Sequence, residues 1–180
     1  MAPRGASDRA ARLRALVDDH HASIGRILRS LGVQDADVDD ALQQTFVIAS
    51  DKLASIRVGS ERAFLVRVAV NVAARARRRR GRNREDADDE RVRNTVASDG
   101  DPETLMEDRE NMRMLDAVLD AMPEPLREVF VLFEVEEMTM AAIADALEIP
   151  AGTVASRLRK AREEFEREVK RQRRGQEARR

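Results

Sequence analysis

Apolar side chains recur at steps of three and four residues along most of this chain, a period that is typical of amphipathic α-helices. The first such stripe runs from Leu13 to Leu31 and is followed by Gly32, a residue type that commonly ends a helix. β-branched residues form no long alternating run, so there is no clear strand signal. The pattern predicts an all-α protein.

Two further helical stripes lie within the first 80 residues. The second spans residues 38–53 and follows Asp35 and Asp37, either of which could cap the helix. The third follows Ser60, another candidate cap. Its predicted buried face consists of Leu65, Val68, Ala69, Val72, Ala73 and Ala76. Three helices of this length can close one small core, so residues 9–80 are predicted to form a first domain.

Residues 81–108 are predicted to be a flexible acidic linker. They are rich in Asp, Glu, Arg and Asn and sustain no apolar period, which is typical of segments without a packed core. The helical period then resumes, which predicts a second domain at residues 109–170 and a basic tail at 171–180. A chain of 180 residues is long enough for two small helical domains, and we expect them to be separate modules.

Charge is segregated along the chain although the formal net charge is only −1. Residues 1–80 carry 15 Lys and Arg against 9 Asp and Glu, and residues 150–180 carry 11 against 5. Residues 123–149 carry 1 against 7. This distribution indicates two basic zones that face a polyanion, held apart by a solvated or repelling acidic middle.

Several functional classes are disfavoured by the composition. There is no cysteine, and the adjacent His20 and His21 lack the spacing of metal ligands, so no metal site is expected. Glycine-rich phosphate loops and nucleophile–base sets are missing, so we expect neither an enzyme nor a cofactor. The first thirty residues lack a signal-peptide core, and Arg67 and Arg75 interrupt the most apolar stretch. A cytoplasmic protein without membrane insertion is predicted.

The segment 139–165 predicts a helix-turn-helix. Thr139 can cap a short helix, "TMAAIADALE", and Pro150 and Gly152 then interrupt it before a longer helix restarts at Thr153. The small Ala144 would allow the two helices to approach closely. Taken alone, the segment fits equally well a helical hairpin with a solvated basic face.

The wider sequence resembles the extracytoplasmic-function (ECF) sigma factors of bacterial RNA polymerase. Residues 122–163 resemble region 4 of that family, through to "GTVASRLRKAR". Residues 37–46, "DVDDALQQTF", are similar to its polymerase-binding segment, and residues 62–80, "RAFLVRVAVNVAARARRRR", are similar to its promoter-melting helix. The matches occur in the family's order with a linker between them, which disfavours the hairpin interpretation. The resemblance implies core RNA polymerase and double-stranded and melted promoter DNA as partners, and an anti-sigma protein as a common inhibitor.

The resemblance also implies roles for particular residues. Those matching the polymerase-binding segment are Asp39, Asp40, Gln43, Gln44 and Phe46, the last of which we expect to be mainly core. Those matching the helix that captures the −10 element are Arg62, Arg67, Asn71, Arg75 and Arg78, and four of them share one helix face at steps of four, four and three. The loop at residues 55–62 matches the loop that holds a flipped base.

In the second domain, the resemblance implies that the helix near Thr153 reads the −35 element. Ser156, Arg159 and Lys160 are the candidates for base contacts, whereas Thr153, Arg157 and Arg162 are the candidates for phosphate contacts. Four positions depart from the family pattern. Gln44 stands where an acid is common, Phe64 where Trp is frequent, Ala155 where Lys or Arg is frequent, and Glu148 where Gly is frequent.

Three functional hypotheses follow. The leading hypothesis is a promoter-specificity subunit that docks on polymerase, opens DNA with its first domain and anchors upstream with its second. The runner-up is a polymerase-independent helix-turn-helix regulator. A helical adaptor that binds only protein is the third, and it would require both basic faces to be incidental.

Overall fold

The computed structural model describes residues 4–85 and 102–177, with side chains described for residues 8–81 and 111–175. Within these ranges the chain forms helices and no strand, which confirms the all-α prediction. The helices are α1 (Arg4–Ser30), α2 (Asp35–Lys52), α3 (Glu61–Glu85), α4 (Pro102–Ala121), α5 (Glu124–Phe130), α6 (Met140–Leu147) and α7 (Ala151–Glu177). We refer to α1–α3 as the first region and to α4–α7 as the second region.

The predicted end of α1 at Gly32 is confirmed. Gly32 has a φ of 87°, a left-handed conformation that glycine adopts without the steric penalty of a Cβ atom. Its amide donates to the Arg29 carbonyl oxygen at 2.8 Å, and the Val33 amide donates to the Leu28 carbonyl oxygen at 3.0 Å. These two hydrogen bonds form a Schellman motif, which turns the chain sharply into α2.

The predicted capping of α2 by Asp35 or Asp37 is wrong. Gln34 holds the cap position without a side-chain hydrogen bond, and both aspartates lie in the first turn. Their carboxylates there favour the positive end of the helix dipole and pair with arginines, Asp35 with Arg29 at 3.5 Å and Asp37 with Arg79 at 3.6 Å. The aspartates therefore suit the helix start electrostatically without capping it.

The second region contains the predicted helix-turn-helix. Thr139 caps α6 as predicted, since its Oγ1 accepts a hydrogen bond from the Ala142 amide at 3.2 Å. Helix α7 begins at Ala151 rather than at Thr153, so Gly152 lies inside the helix and not in the turn. The Pro150 carbonyl oxygen starts the helix by accepting from the Thr153 amide at 2.8 Å. Between α5 and α6 the chain continues through a π-helical turn, Val131–Val135, which the sequence pattern did not predict.

A buried arginine joins α4 to α5. The Arg127 side chain is only 2% exposed. Its Nη2 donates to the carbonyl oxygens of Met122 at 2.7 Å and Asp120 at 3.1 Å. These carbonyls belong to the end of α4, where the last turn of a helix leaves carbonyl oxygens without partners in the helix itself. Arg127 therefore fixes the sharp connection at Pro123.

The two regions are packed together rather than being separate modules as expected. Helix α3 contacts both α1 and α2 on one side and α6 on the other, and the buried apolar side chains of both regions form one continuous cluster. On α3, Val66, Val70 and Ala74 are buried in addition to the predicted face. Val70 and Ala74 lie against Glu128 of α5. This second apolar face explains why the regions share a core.

The predicted linker is described only at its ends. Helix α3 extends through residue 85 and α4 begins at Pro102, so both ends of the 81–108 segment are helical. Residues 86–101, on which the prediction of a flexible acidic linker mainly rests, lie outside the described residues.

Candidate nucleic-acid interface

The exposed face of α2 carries the predicted polymerase-binding residues. Asp39, Asp40, Gln43 and Gln44 are exposed, and Phe46 is buried with 9% exposure. The Phe46 ring stacks on His21 of α1, with 6.1 Å between the ring centroids. The polar residues are thus available to a partner, whereas Phe46 is part of the core that supports them.

Val47 is a candidate contact that the sequence analysis missed. It is 52% exposed on α2 and lies one helical turn beyond Gln43 and Gln44. An exposed apolar side chain within a polar helix face adds hydrophobic contact area to that face. The signal was present in the sequence, because Val47 interrupts an otherwise polar stripe.

The predicted basic stripe of α3 lies on one side of the helix but only part of it faces solvent. Asn71 and Arg75 are exposed, and the Asn71 Nδ2 donates to the Arg67 carbonyl oxygen of its own helix at 3.0 Å. Arg78 is exposed and donates to Glu124 at 3.0 Å. Arg67 forms a hydrogen-bonded ion pair with Glu148. Two of the four residues in the stripe therefore contact acids of the second region.

The loop before α3 is held by an arginine of α1. The Arg12 guanidinium donates to the carbonyl oxygens of Leu53 at 3.1 Å and Ile56 at 2.7 Å, and to the Glu61 carboxylate at 3.1 Å. The other Glu61 oxygen accepts from the Gly59 amide at 2.6 Å. Partial desolvation opposes any lowering of the Glu61 pKa. Even so, hydrogen bonds from its own amide, from Arg12 and from Gly59 lower that pKa below its usual value.

This loop forms one wall of a cavity of about 280 Å³. Phe64 and Arg67 of α3 line the cavity together with the loop, and the Arg67 guanidinium carbon lies 5.3 Å from the Phe64 ring centroid. The opposite wall belongs to α6 and its end, through Asp145 and Glu148. Val58, at the tip of the loop, is 87% exposed and is outside this wall. The cavity therefore lies between the predicted melting loop and the helix-turn-helix.

The exposed part of α7 carries the candidates for base contacts. Ser156, Arg159 and Lys160 are exposed. The Ser156 hydroxyl donates to the Thr153 carbonyl oxygen at 3.0 Å, and Arg159 pairs with Glu163 at 2.7 Å within the same helix. Such exposed pairs are weak and exchange readily for other acceptors. These side chains are free to rearrange toward a ligand.

The candidates for phosphate contacts lie closer to the protein body. Thr153 and Arg157 are half-buried. Arg162 is exposed but pairs with Glu134 at 2.7 Å, and its guanidinium carbon lies 5.5 Å from the Phe133 ring centroid. Arg162 thus helps to hold α7 against the π-helical turn.

Two carboxyl groups of the second region have raised pKa values where the regions meet. Burial raises the pKa of Glu128 to about 7, and the neighbouring Glu124 carboxylate adds to the rise. Burial also raises the pKa of Glu136, whose side chain is only 4% exposed, against the opposing effect of Arg26 and Arg62. Arg62, a predicted DNA-binding residue, therefore also lies near an acid of the second region.

The ion pairs described between the regions share one polarity. They include Arg26 with Glu136, Arg67 with Glu148, Arg77 with Asp120, and Arg78 with Glu124. In each of these pairs the first region supplies the cation and the second region the carboxylate. Much of the acidic block at residues 123–149 thus faces the first region and does not act only as a solvated connector.

Other kinds of site find little support in the part of the chain that the structure describes. No group of three or more His, Asp or Glu residues there could hold a metal ion. None of the helices described is long and apolar enough to cross a membrane. The chemistry available at the surface is that of charge, amide and guanidinium groups.

The first region has three helices, of which the third is basic, and the second region contains a helix-turn-helix. This is the arrangement of a transcription initiation factor. Family models match the chain accordingly: Sigma-70 region 2 at residues 16–83, and Sigma-70, region 4, at residues 112–165. The ECF RNA polymerase sigma-E factor of Haemophilus influenzae is 31% identical over 143 residues, which cover 74% of this chain and 75% of that protein. The sigma-E factor of Escherichia coli strain K12 is 30% identical over 145 residues, 76% of each chain.

Solved structures share the fold. CnrH, in complex with the cytosolic domain of CnrY, has a TM-score of 0.64 at 24% identity, over 86% of this chain and 84% of CnrH. The sigma factor RpoE of Bartonella quintana, in complex with the anti-sigma factor NepR, has a TM-score of 0.64 at 21% identity, over 91% and 97%.

The chain belongs to the ECF sigma factor family. It is a sigma factor, which directs RNA polymerase to promoters for the initiation of transcription. Core RNA polymerase and promoter DNA are the partners of the family, and its members are initiation factors rather than enzymes. The comparisons confirm the family that the sequence resembles.

Proposed function

We propose a division of labour between the two regions of this sigma factor. Residues 9–80 bind polymerase and open the −10 element, and residues 109–170 bind the −35 element. Residues 81–108 link these two parts, and a basic tail follows at 171–180. The chain acts by binding alone, without a catalytic centre or cofactor, and works in the cytoplasm. The observation that carries this assignment is the presence of three different polar surfaces, of which those on α2 and α7 are exposed and that on α3 is exposed in part.

The α2 surface supports polymerase binding. Asp39 and Asp40 provide acceptors and Gln43 and Gln44 provide both donors and acceptors on neighbouring turns of one helix. Such a set fits an arginine-containing partner helix, since carboxylate–guanidinium pairs are among the stronger hydrogen bonds. Phe46 contributes from below by holding α2 against α1.

The α3 surface supports capture of the −10 element. Arg62, Arg67, Arg75 and Arg78 can neutralise phosphates, and Asn71 can exchange its intrahelical hydrogen bond for a base edge or a backbone oxygen. The loop at residues 55–62 and the adjoining face of α3 form the first-region wall of the cavity, and this wall can receive a flipped base. Phe64 supplies the aromatic ring nearest to it.

The α7 surface supports recognition of the −35 element. Ser156, Arg159 and Lys160 lie near the beginning of the second helix of the helix-turn-helix, the part that enters the major groove in proteins of this kind. Thr153, Arg157 and Arg162 can contact phosphates on either side of the groove and so hold the helix in place. Arg162 must first leave its ion pair with Glu134.

Reconstitution tests the proposal. The purified chain is mixed with core RNA polymerase and a library of genomic fragments, and promoter-specific transcripts and footprints are recorded. Protection at two elements, one matched to each region, together with new transcripts supports the assignment. Duplex binding without polymerase association would instead favour the polymerase-independent regulator, and loss of both activities would favour the adaptor.

Control by an anti-sigma protein is a second part of the proposal. CnrH and RpoE were both solved in complexes, the latter with an anti-sigma factor, and this chain has their fold. An inhibitor of this kind would lower transcription from the reconstituted holoenzyme and be displaced by excess core polymerase. Co-purification of such a protein without any effect on transcription would remove this part of the proposal.

A further inference from the structure

We propose that the packed arrangement is a self-blocked form of the chain, in which acids of the second region occupy the DNA-binding stripe of α3. Binding to polymerase and promoter DNA would then require the two regions to separate. This inference rests on the proposed role of the α3 stripe. It adds that the chain masks this stripe by itself, without an inhibitor protein.

The charges at the interface support this inference. Arg67 and Arg78, both assigned to DNA phosphates, are paired with Glu148 and Glu124. A carboxylate presented to a guanidinium group uses the same hydrogen-bonding geometry as a phosphate oxygen. The second region therefore takes the place that the nucleic acid would occupy at these two positions.

The cavity at the predicted melting loop is blocked in the same way. Its wall opposite the loop is built by Ala144, Asp145 and Glu148, all from α6 or its end. A base that entered this cavity in the packed form would meet two carboxylates. Nucleotide strands carry negative phosphates, so these carboxylates would repel the strand that the loop is assigned to capture.

Glu148 has an unfavourable backbone conformation for its residue type. Its φ of 54° and ψ of 41° are left-handed, and its amide donates to the Ala144 carbonyl oxygen at the end of α6. Glycine is favoured at such a helix end, and a residue with a Cβ atom is disfavoured there. The side chain at this strained position is the one that reaches Arg67. A glycine would satisfy the helix end but could not make the contact with Arg67 that this glutamate makes.

Apolar packing between the two regions stabilises the blocked form. Val70 and Ala74 of α3 are buried at 6% and 7% exposure and line a small cavity together with Glu124, Arg127 and Glu128 of the second region. Separation of the regions exposes this face to water, which is unfavourable unless another surface covers it. Opening is therefore expected to require core polymerase and not to be driven by DNA alone.

The first experiment measures opening directly. The chain contains no cysteine, so Ala54→Cys in the first region and Arg173→Cys in the second give two labelling sites, both exposed in the structure. Energy transfer in the free chain is the reference value. Transfer should fall when core polymerase is added, and should fall in part in the Glu124→Gln/Glu148→Gln double variant. Transfer that is unchanged in both cases would overturn the proposal.

The second experiment measures DNA binding by the free chain, with a fluorescent mixed-sequence single-stranded 20-mer at fixed salt. Glu148→Gln should tighten binding about two- to fivefold, which corresponds to the loss of one partly exposed ion pair. Glu166→Gln is the matched control, because it removes the same charge from an exposed pair with Lys170 on α7, and should leave binding unchanged. If both variants raise the affinity for DNA equally, the increase comes from net charge alone, and the proposal is overturned.

Glu148→Gly distinguishes the effect of the ion pair with Arg67 from the effect of the left-handed backbone conformation. Both this variant and Glu148→Gln remove the ion pair, but only glycine relieves the left-handed conformation. We expect similar opening in both variants and a higher melting temperature for Glu148→Gly. A Glu148→Gly variant that remains as closed as the unmodified chain would show that this contact does not hold the blocked form.

Arg75→Ala distinguishes failure of this inference from failure of the proposed stripe. Arg75 lies on the stripe and is exposed, and no contact with the second region is recorded for its side chain within the described residues. Weaker DNA binding in Arg75→Ala, without any response to Glu148→Gln, would leave the stripe intact and overturn self-blocking. An unchanged Arg75→Ala together with opening in Glu148→Gln would show that Glu148 holds the regions together, but it would overturn the DNA-binding role of the stripe and with it the proposed self-blocking.

Discussion

The Arg12 Nη2 atom lies 3.1 Å from the Glu61 Oε1 atom and thereby links the first helix to the first residue of the third. The same guanidinium donates to two carbonyl oxygens of the intervening loop, at Leu53 and Ile56. Glu61 in turn accepts from the Gly59 amide. The loop assigned to base capture is thus held at both ends by one pair of charged side chains.

Arg12→Ala should therefore impair promoter opening more than polymerase binding. Loss of the charged hydrogen bonds should cost about 2 kcal/mol of stability and leave the loop less ordered. Open-complex formation, measured by permanganate reactivity of the melted strand, should fall about tenfold at saturating core polymerase, a loss of about 1.4 kcal/mol.

Arg9→Ala is the matched control for this variant, because Arg9 is also on α1 but donates to the Ser50 carbonyl oxygen in α2 and not to the loop before α3. It should open promoters normally. Equal loss in both variants would indicate a general effect on α1 packing rather than positioning of the loop.

Replacement of Asp40 and Gln43 by Ala should weaken association with core polymerase by about tenfold and leave helicity intact. Both side chains are exposed on α2, so their removal opens no cavity in the core. Titration with labelled core polymerase measures the affinity, and circular dichroism measures the helix content. Asp19→Ala, which removes an exposed carboxylate from α1, is the control. Unchanged polymerase affinity in the double variant would refute this docking face.

Arg159→Ala or Lys160→Ala should cost about 1–3 kcal/mol of promoter binding if a base contact is lost. Preference should relax at one position of the −35 element, measured by selection from a randomised duplex library. Lys170→Ala, two to three turns further along α7, should leave the selected sequence unchanged. A uniform loss across all sequences would instead assign the residue to a phosphate contact.

Glu128 should make stability fall as pH rises through the range from about 4.5 to about 7. Burial raises its folded-state pKa to about 7, so the folded chain holds a proton there that the unfolded chain has released. The charged groups that act on it are Glu124, Arg157, Arg78 and Arg77. Glu128→Gln should remove this dependence and raise the melting temperature at pH 8 more than at pH 5. Equal shifts at both pH values would contradict the raised pKa.

Local sequence signals predicted the helix ends well. Gly32 and Thr139 terminate and cap helices as expected, because these roles depend on one residue and its immediate neighbours. The glutamate at position 148 was recognised as occupying a glycine position, and its left-handed conformation agrees with this. The sequence pattern predicts the start of α7 two residues late, because Gly152 favours a turn but lies inside the helix.

Contacts between distant residues were not predictable from a single sequence. Nothing in the period of α1 indicates that Arg12 reaches a carboxylate 49 residues away, or that Arg67 reaches one 81 residues away. The second apolar face of α3 did leave a signal. Between Leu65 and Ala74 only Arg67 and Asn71 are polar, and a helix that is apolar nearly all round is usually buried on more than one side.

The pairing of Arg67 and Arg78 with carboxylates also affects how ionic strength acts on the free chain. A phosphate that binds these side chains must displace an anion already present, so salt that weakens the new contact also loosens the old one. Each unobstructed phosphate contact normally steepens the salt dependence of binding by about 0.9 in the logarithmic slope. The two arginines would then contribute much less than that, so DNA binding by the free chain would depend less steeply on ionic strength than its number of phosphate contacts indicates.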